Sequence, residues 1–113
     1  MNYKELDTPA LIIDREKMID NLHFMQDYAD RQGVALRPPT KTHKMPAIAK
    51  LQEQLGAKGI TVAKVGEAEV MAQNGLQDIF IANEIVGKQK LERIRALVRS
   101  GITISFAVDT PCQ

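Results

Sequence analysis

The sequence predicts an α/β fold built around a parallel sheet. Short apolar runs alternate along the chain with longer segments whose apolar residues recur at helical spacing. The apolar runs are nearly continuous, as in strands that helices cover. They follow one another at near-constant intervals, as in successive βαβ units. We therefore expect a first helix and then the order β-α-β-α-β-α-β, with right-handed crossovers and the helices on one side.

The first elements are indicated by capping signals and helical spacing. Ala10–Ile13 is a short β-prone run, and Asp14 follows it at a position suited to a helix N-cap. The helix expected from Arg15 ends near Gly33, a residue typical of the position after a helix. Its apolar face is formed by Met18, Leu22, Met25 and Ala29.

Four strands and three helices are expected in the remainder of the chain. Proline suits the first turn of the first of these helices, and a glycine follows the end of each of them. The predicted strands are Val34–Leu36, Ile60–Ala63, Ile79–Ala82 and Ile102–Val108. The predicted helices are Pro46–Leu55, Gly66–Asn74 and Lys88–Ser100.

The number of units predicts about half of an α/β barrel. A closed barrel needs eight βα units and ~250 residues, whereas this sequence has 113. An open doubly wound sheet would also fit the length, but the Gly-rich turn that usually follows its first strand is absent. The last predicted strand is followed by no closing helix, so we interpret the chain as a fragment of a longer protein. In a half-barrel, we expect the inward strand faces to be uncovered at Ile60, Val62, Ile79, Ile81, Ile104 and Phe106.

Composition excludes several classes of protein. Fifteen basic and fourteen acidic side chains leave a net charge of +1, which argues against a dedicated nucleic-acid binder. No apolar run approaches the ~20 residues that span a bilayer, and the N-terminus lacks the apolar core of a signal peptide. The single cysteine, Cys112, has no partner for a disulfide or a zinc pattern, and it fits a reducing compartment. We therefore expect a cytoplasmic protein.

The loop after the first barrel strand is the first candidate for chemistry. In parallel α/β folds, active sites lie at the carboxyl ends of the strands. The segment 37–44, Arg-Pro-Pro-Thr-Lys-Thr-His-Lys, crowds cations and a histidine there, and its two prolines restrict the backbone. A partly desolvated amine near other cations loses its proton more readily, and a neutral amine attacks an aldehyde to form a Schiff base. The alternative is a solvated basic loop.

Four segments carry a resemblance to a known family, and they occur in the order Pro9–Asp14, Leu36–Lys44, Ala63–Glu69 and Ala82–Gly87. Together they resemble the D-threonine aldolase / D-serine dehydratase family, which has the alanine-racemase fold and uses pyridoxal phosphate. The resemblance runs from about Leu6 to Thr110. In the family pattern Arg-Pro-His-x-Lys-Thr-His-Lys, the first lysine carries the cofactor, and this position is Lys41 here. This chain has Pro39 where the family usually has histidine.

The resemblance also implies a domain organisation. Residues 1–13 would include a strand that joins a C-terminal β-domain, and residues 14–113 would form the first part of a (β/α)8 TIM barrel of the alanine racemase N-terminal type. The barrel proper would start near Val34. The remaining barrel, the residues that grip the cofactor phosphate and the ligands of a divalent metal would lie beyond Gln113. The full-length protein would be a homodimer.

Other candidate site residues complete the expectation. Lys41 is the expected catalytic residue, and Arg37, His43, Lys64 and Asn83 are expected to contact the cofactor with it. Each also has a plainer interpretation as a surface or loop residue. We expect Glu67 and Glu69 to favour the start of their helix, and His23 to lie on a helix surface. Glu84 and Asp109 are further strand-end residues.

The resemblance predicts a pyridoxal-phosphate-dependent lyase that cleaves D-β-hydroxy amino acids, giving glycine and an aldehyde. The cofactor stabilises a carbanion whether Cα–Cβ or Cα–H is broken. D-serine dehydratase activity, racemisation and a non-catalytic cofactor-binding protein are therefore alternatives, the last because of Pro39. A plain α/β structural module is the alternative without a cofactor. A small amino acid is the expected partner, with no nucleic acid or membrane.

Overall fold

The computed structural model describes residues 2–111 of the chain. A short 3₁₀ helix, Tyr3–Glu5, precedes the main elements. The helices are α1 (Arg15–Arg31), α2 (Pro46–Gln54), α3 (Val65–Gln73) and α4 (Lys88–Arg99). The strands are β1 (Ile60–Val62), β2 (Asp78–Glu84) and β3 (Thr103–Ala107).

The three strands form a parallel sheet in the order β1-β2-β3. Ile60 lies beside Ile79, and Ile79 lies beside Ile104 in the next strand. Helices α3 and α4 contact each other as well as the strands, so these two crossovers cover the same face of the sheet. The predicted parallel α/β arrangement is confirmed, and the sheet is not closed into a barrel.

The expected start of α1 is confirmed in its details. The Asp14 carboxylate accepts the backbone amide of Lys17 at 3.2 Å, which satisfies one of the free donors of the first turn. Gly33 follows the helix with φ of 66°, a conformation that glycine adopts without the steric cost of a Cβ.

The prediction of a strand at Val34–Leu36 is wrong in position. The chain joins the sheet a few residues later, through a parallel bridge between Pro39 and Thr61. Hydrogen bonds from Lys58 to the Leu36 carbonyl, from Thr61 to the Pro38 carbonyl and from Thr40 to the Thr61 carbonyl span 2.8–2.9 Å. Two adjacent prolines offer no N–H donors, so this edge forms a short bridge instead of a full strand. We call the segment 36–40 the edge segment.

The β-prone run Ala10–Ile13 forms no strand. Its large apolar side chains are exposed, and Leu11 is fully so at 103%. No described strand lies beside this run, and an extended segment without a partner has no ladder of hydrogen bonds to join.

The predicted orientation of the strand faces is wrong. The residues expected on an uncovered barrel interior pack instead against the helices, in the apolar core with Ala68 and Met71. The opposite face carries Thr61, Phe80 and Ser105 in register, and Ser105 is exposed. Alternation along a strand defines two faces but does not state which one meets the helices. The residues found on the helix side are Ile60, Val62, Ile79, Ile81, Ile104 and Phe106.

In the part of the chain that the structure describes, no helix is both long enough and apolar enough to cross a membrane. Cys112, to which the sequence assigned no role, lies outside the described residues.

Candidate active site

The turn that carries Lys41 is held to the sheet at its base. Thr40 is 1% exposed and bonds the Thr61 carbonyl through its amide at 2.8 Å and its hydroxyl at 3.3 Å. Four residues later, the Lys44 amide donates to the Thr40 carbonyl at 2.7 Å and closes the turn. The Thr61 hydroxyl donates to the Arg37 carbonyl at 3.0 Å. Lys41 therefore projects from a backbone that is fixed on both sides.

Lys41 lines a small cleft at the carboxyl edge of the sheet. The cleft holds about 100 Å³ and is bounded by Pro39, Thr61, Val62, Ala63 and Ala82 besides the lysine. Thr61 belongs to the face of the sheet that the helices leave uncovered, Pro39 pairs with it across the bridge, and Ala82 is exposed. An exposed amine thus stands over short side chains, on the side of the sheet where an opposite barrel wall would lie.

Lys64 lies in a different cleft. This second cleft, of about 440 Å³, lies between the Lys41 turn and α3, and Lys44 and Glu67 also line it. Glu67 Oε1 is 3.9 Å from the Lys44 ammonium. The structure therefore does not bring Lys64 into the small cleft with Lys41.

Asn83 and Glu67 hold the peptide groups of Ala63, which is part of the Lys41 cleft. Glu67 Oε2 accepts the Ala63 amide at 2.8 Å, and Asn83 Nδ2 donates to the Ala63 carbonyl at 3.4 Å. Glu67 lies in the first turn of α3, as expected, and its carboxylate also accepts an amide two residues before the helix. Asn83 therefore contacts the Lys41 cleft through its hydrogen bond to the backbone of Ala63.

His43 points away from the Lys41 cleft. Its Nδ1 accepts the amide of Met45 at 3.0 Å. The half-buried imidazole lines a cavity between α1 and α2, together with Asp14, Lys17 and Gln52. Burial lowers the pKa of His43 below its ordinary value of 6.5, although the side chain of Gln52 opposes this change. The neutral imidazole is therefore favoured.

Arg37 lies at the opposite end of the sheet from Lys41. Its guanidinium forms a two-bonded ion pair with Asp78, at 2.8 and 2.9 Å, where β2 begins. The hydrogen bond to Asp78 raises the pKa of Arg37. A Cβ on Gly59 would lie 2.4 Å from the Asp78 carbonyl oxygen and 2.7 Å from Arg37 Nη1, so only glycine fits beside the pair. The structure does not bring Arg37 to the carboxyl edge, because the ion pair holds its side chain at the end of the sheet where β2 begins.

The remaining candidates lie apart from the Lys41 cleft. Glu69 pairs with Arg93 of α4, and that bond lowers the pKa of Glu69. His23 is exposed on α1, as expected, and Glu84 and Asp109 are exposed near the ends of β2 and β3. Within residues 2–111, no group of three or more histidine, cysteine, aspartate or glutamate side chains is placed to hold a metal.

Sequence reasoning missed the short residues around Lys41. Thr40, Thr61 and Ala82 fix or line its cleft. The signal that could have found Thr40 is its place next to the lysine in the octapeptide. Thr61 and Ala82 carried a weaker signal, because small residues inside apolar runs are common in any buried strand.

The alanine racemase N-terminal domain profile matches residues 13–110. The chain belongs to this family. A D-threonine aldolase from Arthrobacter sp is 48% identical over 104 residues, which is 92% of this chain and 27% of that protein. A D-threo-3-hydroxyaspartate dehydratase from Delftia sp. (strain HT23) is 40% identical, over 93% of this chain and 27% of its own length.

Solved structures of the family share the fold. The crystal structure of D-threonine aldolase from Filomicrobium marinum superposes with a TM-score of 0.92 at 44% identity, over 96% of this chain and 29% of that one. The expected barrel type is thereby confirmed. The chain spans only 27–29% of the length of these relatives.

Proposed function

We propose that this chain forms the first part of the barrel of a pyridoxal-phosphate-dependent lyase, which splits D-β-hydroxy amino acids into glycine and an aldehyde. The observation that carries the proposal is Lys41, held on a fixed turn over a cleft at the carboxyl edge. The similarity to the Arthrobacter D-threonine aldolase supports it. The full-length protein, meaning a chain that carries this segment with the remainder found in its relatives, would be the enzyme.

The residues around Lys41 fit this cofactor. Thr61, Ala63 and Ala82 leave space beside the amine for one edge of a flat ring, and the cleft opens onto the uncovered face of the sheet. The cleft takes only part of the cofactor, so residues outside this chain would hold the phosphate. When bound, pyridoxal phosphate supplies an aldehyde for the lysine and an electron sink for the bond broken at the substrate Cα.

The chain's own residues would orient the reacting amine. Thr40 and Thr61 fix the base of the turn, so that Lys41 Nζ is the atom placed to bond the aldehyde carbon. Glu67 and Asn83 hold the Ala63 peptide that floors the cleft. Cleft shape then depends on backbone contacts that are already made before the cofactor arrives, which reduces the cost of binding.

The first test locates the cofactor. The full-length protein is loaded with pyridoxal phosphate, reduced with borohydride and mapped by peptide mass spectrometry. We expect a pyridoxyl group on Lys41. Lys41→Ala should lower D-threonine cleavage by about 10³-fold or more, because the covalent anchor is lost. Lys64→Ala is the matched control, since Lys64 lines the other cleft, and it should keep the adduct. An adduct on Lys44 or Lys64 instead would refute the assignment.

Dehydration is the second candidate reaction, because the Delftia dehydratase is also similar over nearly the whole chain. Incubation with D-threonine and with D-threo-3-hydroxyaspartate separates the two reactions. Cleavage gives glycine and an aldehyde, whereas dehydration gives ammonia and a 2-oxo acid. Racemisation at Cα would convert each substrate into the diastereomer inverted at Cα, with no glycine, aldehyde or ammonia released, and amino acid chromatography would detect it. A non-catalytic binder would form the Lys41 adduct without turnover.

Four further features stay predictions for the full-length protein. They are a homodimer, a divalent metal held by residues outside this chain, a C-terminal β-domain joined by a strand from residues 1–13, and a cytoplasmic location.

A further inference from the structure

We propose that His43 is a positioning residue for Lys41, and that its neutral imidazole holds the turn from which the lysine projects. The proposal rests on the proposed function where it concerns the role of Lys41. Its structural part, the hold of His43 on the turn, can be tested without any cofactor.

The Lys41 turn needs a restraint at its far end. Lys44 has φ of 52°, in the left-handed region that residues with a Cβ adopt at a steric cost. The amide of Lys44 is bonded to Thr40, which closes the turn. The next amide, that of Met45, donates to Nδ1 of His43 at 3.0 Å. This hydrogen bond spans Lys44, because it joins the residues on either side of it.

The same bond joins the turn to α2. Met45 is the N-cap residue of α2, and its own side chain makes no capping hydrogen bond. The His43 imidazole therefore satisfies a donor at the point where the turn ends and the helix begins. Any rotation of the turn about Lys44 must break this contact, so the contact restrains the direction of Lys41.

The imidazole is bound in one tautomer. An Nδ1 that accepts a hydrogen bond must carry a lone pair, so the proton of the neutral ring is on Nε2. Nε2 is buried, and so is Oε1 of Gln52, whose side chain lies beside the ring; neither atom has a partner at ordinary hydrogen-bond distance among the described residues. A buried donor facing a buried acceptor favours this orientation over a flipped ring.

The geometry separates His43 from the reacting atoms. It lines the cavity between α1 and α2 and is absent from the Lys41 cleft. The two lysines of the turn also line separate cavities: Lys41 lines the small cleft, and Lys44 lines the larger one. His43 therefore acts through the backbone and is not itself a catalytic residue.

The test compares three substitutions at His43 in the full-length protein. Asn keeps an acceptor for the amide two residues on, Leu removes it, and Gln moves the polar group towards the Nε2 position. The matched control is His23→Leu on the exposed surface of α1. The first readout is hydrogen–deuterium exchange of the Met45 amide in the cofactor-free protein. The second readout is the affinity for pyridoxal phosphate, which is measured from the visible absorbance of the imine that the cofactor forms with lysine.

We expect Met45 exchange about tenfold faster in His43→Leu and His43→Gln, the effect of one lost hydrogen bond. The dissociation constant of the cofactor should rise by about the same factor. His43→Asn and His23→Leu should stay within about twofold of the unsubstituted protein in both readouts. If His43→Leu does not fold, the contrast between Asn and Gln carries the same test.

Two results would overturn the proposal. One is equal Met45 exchange in all variants, which would show that the imidazole does not hold the turn. The other is faster exchange with unchanged cofactor affinity, which would show that the turn does not position Lys41. An unmodified Lys41 in the reduced, unsubstituted protein overturns the proposed function instead. Met45 exchange, measured without cofactor, then still decides whether His43 holds the turn.

Discussion

His43 can accept the Met45 amide only while Nδ1 is unprotonated. Burial lowers the pKa of His43 from 6.5, so the folded state takes up this proton less readily than the unfolded chain. The free energy of unfolding should therefore fall as the pH drops below about 6.5. Asp14 and Lys17, the charged groups that line the same cavity, lie on the α1 side of the ring.

Thermal unfolding of the full-length protein between about pH 7.5 and pH 5 checks this residue-scale prediction. The melting temperature should decline more steeply below about pH 6.5 than it does in His43→Asn, which has no such proton to bind. His23→Asn is the control and should follow the unsubstituted protein. If the melting temperature depends on pH equally in all three proteins, a neutral His43 does not stabilise the fold through its hydrogen bond.

The sequence predicted that several candidate side chains lie near one edge of the sheet, but it did not predict the directions in which they point. Lys41, His43 and Lys64 all lie near the carboxyl edge, as strand-end positions predict. Their side chains line three different cavities. The turn between Thr40 and Lys44 turns Lys41 and His43 to different sides, and Lys64 belongs to another segment, at the start of α3. Arg37 is drawn to the other end of the sheet by Asp78, which is 41 positions away in sequence. A pairing at that separation leaves no local signal.

At the scale of elements, the cap of α1 offers a direct test. Asp14 accepts the Lys17 amide and is also 3.6 Å from the Lys17 ammonium, although both side chains are exposed. Asp14→Ala should lower the free energy of unfolding of the full-length protein by about 1 kcal/mol, the usual cost of losing an N-cap. Asp20→Ala, within the exposed face of α1, should be neutral or slightly stabilising, since alanine is the better helix former. If urea denaturation gives the same change in the free energy of unfolding for both variants, the Asp14 carboxylate does not stabilise the helix as a cap.

Helices were predictable from the sequence because two local signals agree for each of them. Apolar spacing gives the face, and a cap, a proline or a glycine gives the end, so the predicted bounds of α2, α3 and α4 differ from the observed bounds by one residue. Strands depend on partners. The edge segment pairs late because of its prolines, and Ala10–Ile13 has no described partner at all. The periodicity of apolar residues shows neither where a strand begins to pair nor whether a partner strand is present.

At the scale of the whole molecule, the chain has more surface than its mass requires. Its accessible surface is 8066 Å², whereas a compact protein of 12.6 kDa exposes about 6,200 Å². The radius of gyration is 16.4 Å, against about 13 Å for a compact domain of this length. The excess surface agrees with a sheet that, within the described part of the chain, has one uncovered face and an unpaired strand edge on each side.

The isolated 113-residue chain should therefore self-associate and should not cleave D-threonine. Among residues 2–111, the edge segment and β3 each lack a neighbouring strand on their outer side, and such edges pair with other chains. Exposed apolar side chains such as Leu11, Phe24 and Val34 add surface that favours association. Catalysis should fail independently, because Lys41 alone would hold the cofactor without a grip on its phosphate. Light scattering coupled to size exclusion checks the first part, and an aldehyde assay with added pyridoxal phosphate checks the second. A monodisperse monomer that releases acetaldehyde from D-threonine would contradict both, and it would show that the first part of the barrel contains all the groups the reaction needs.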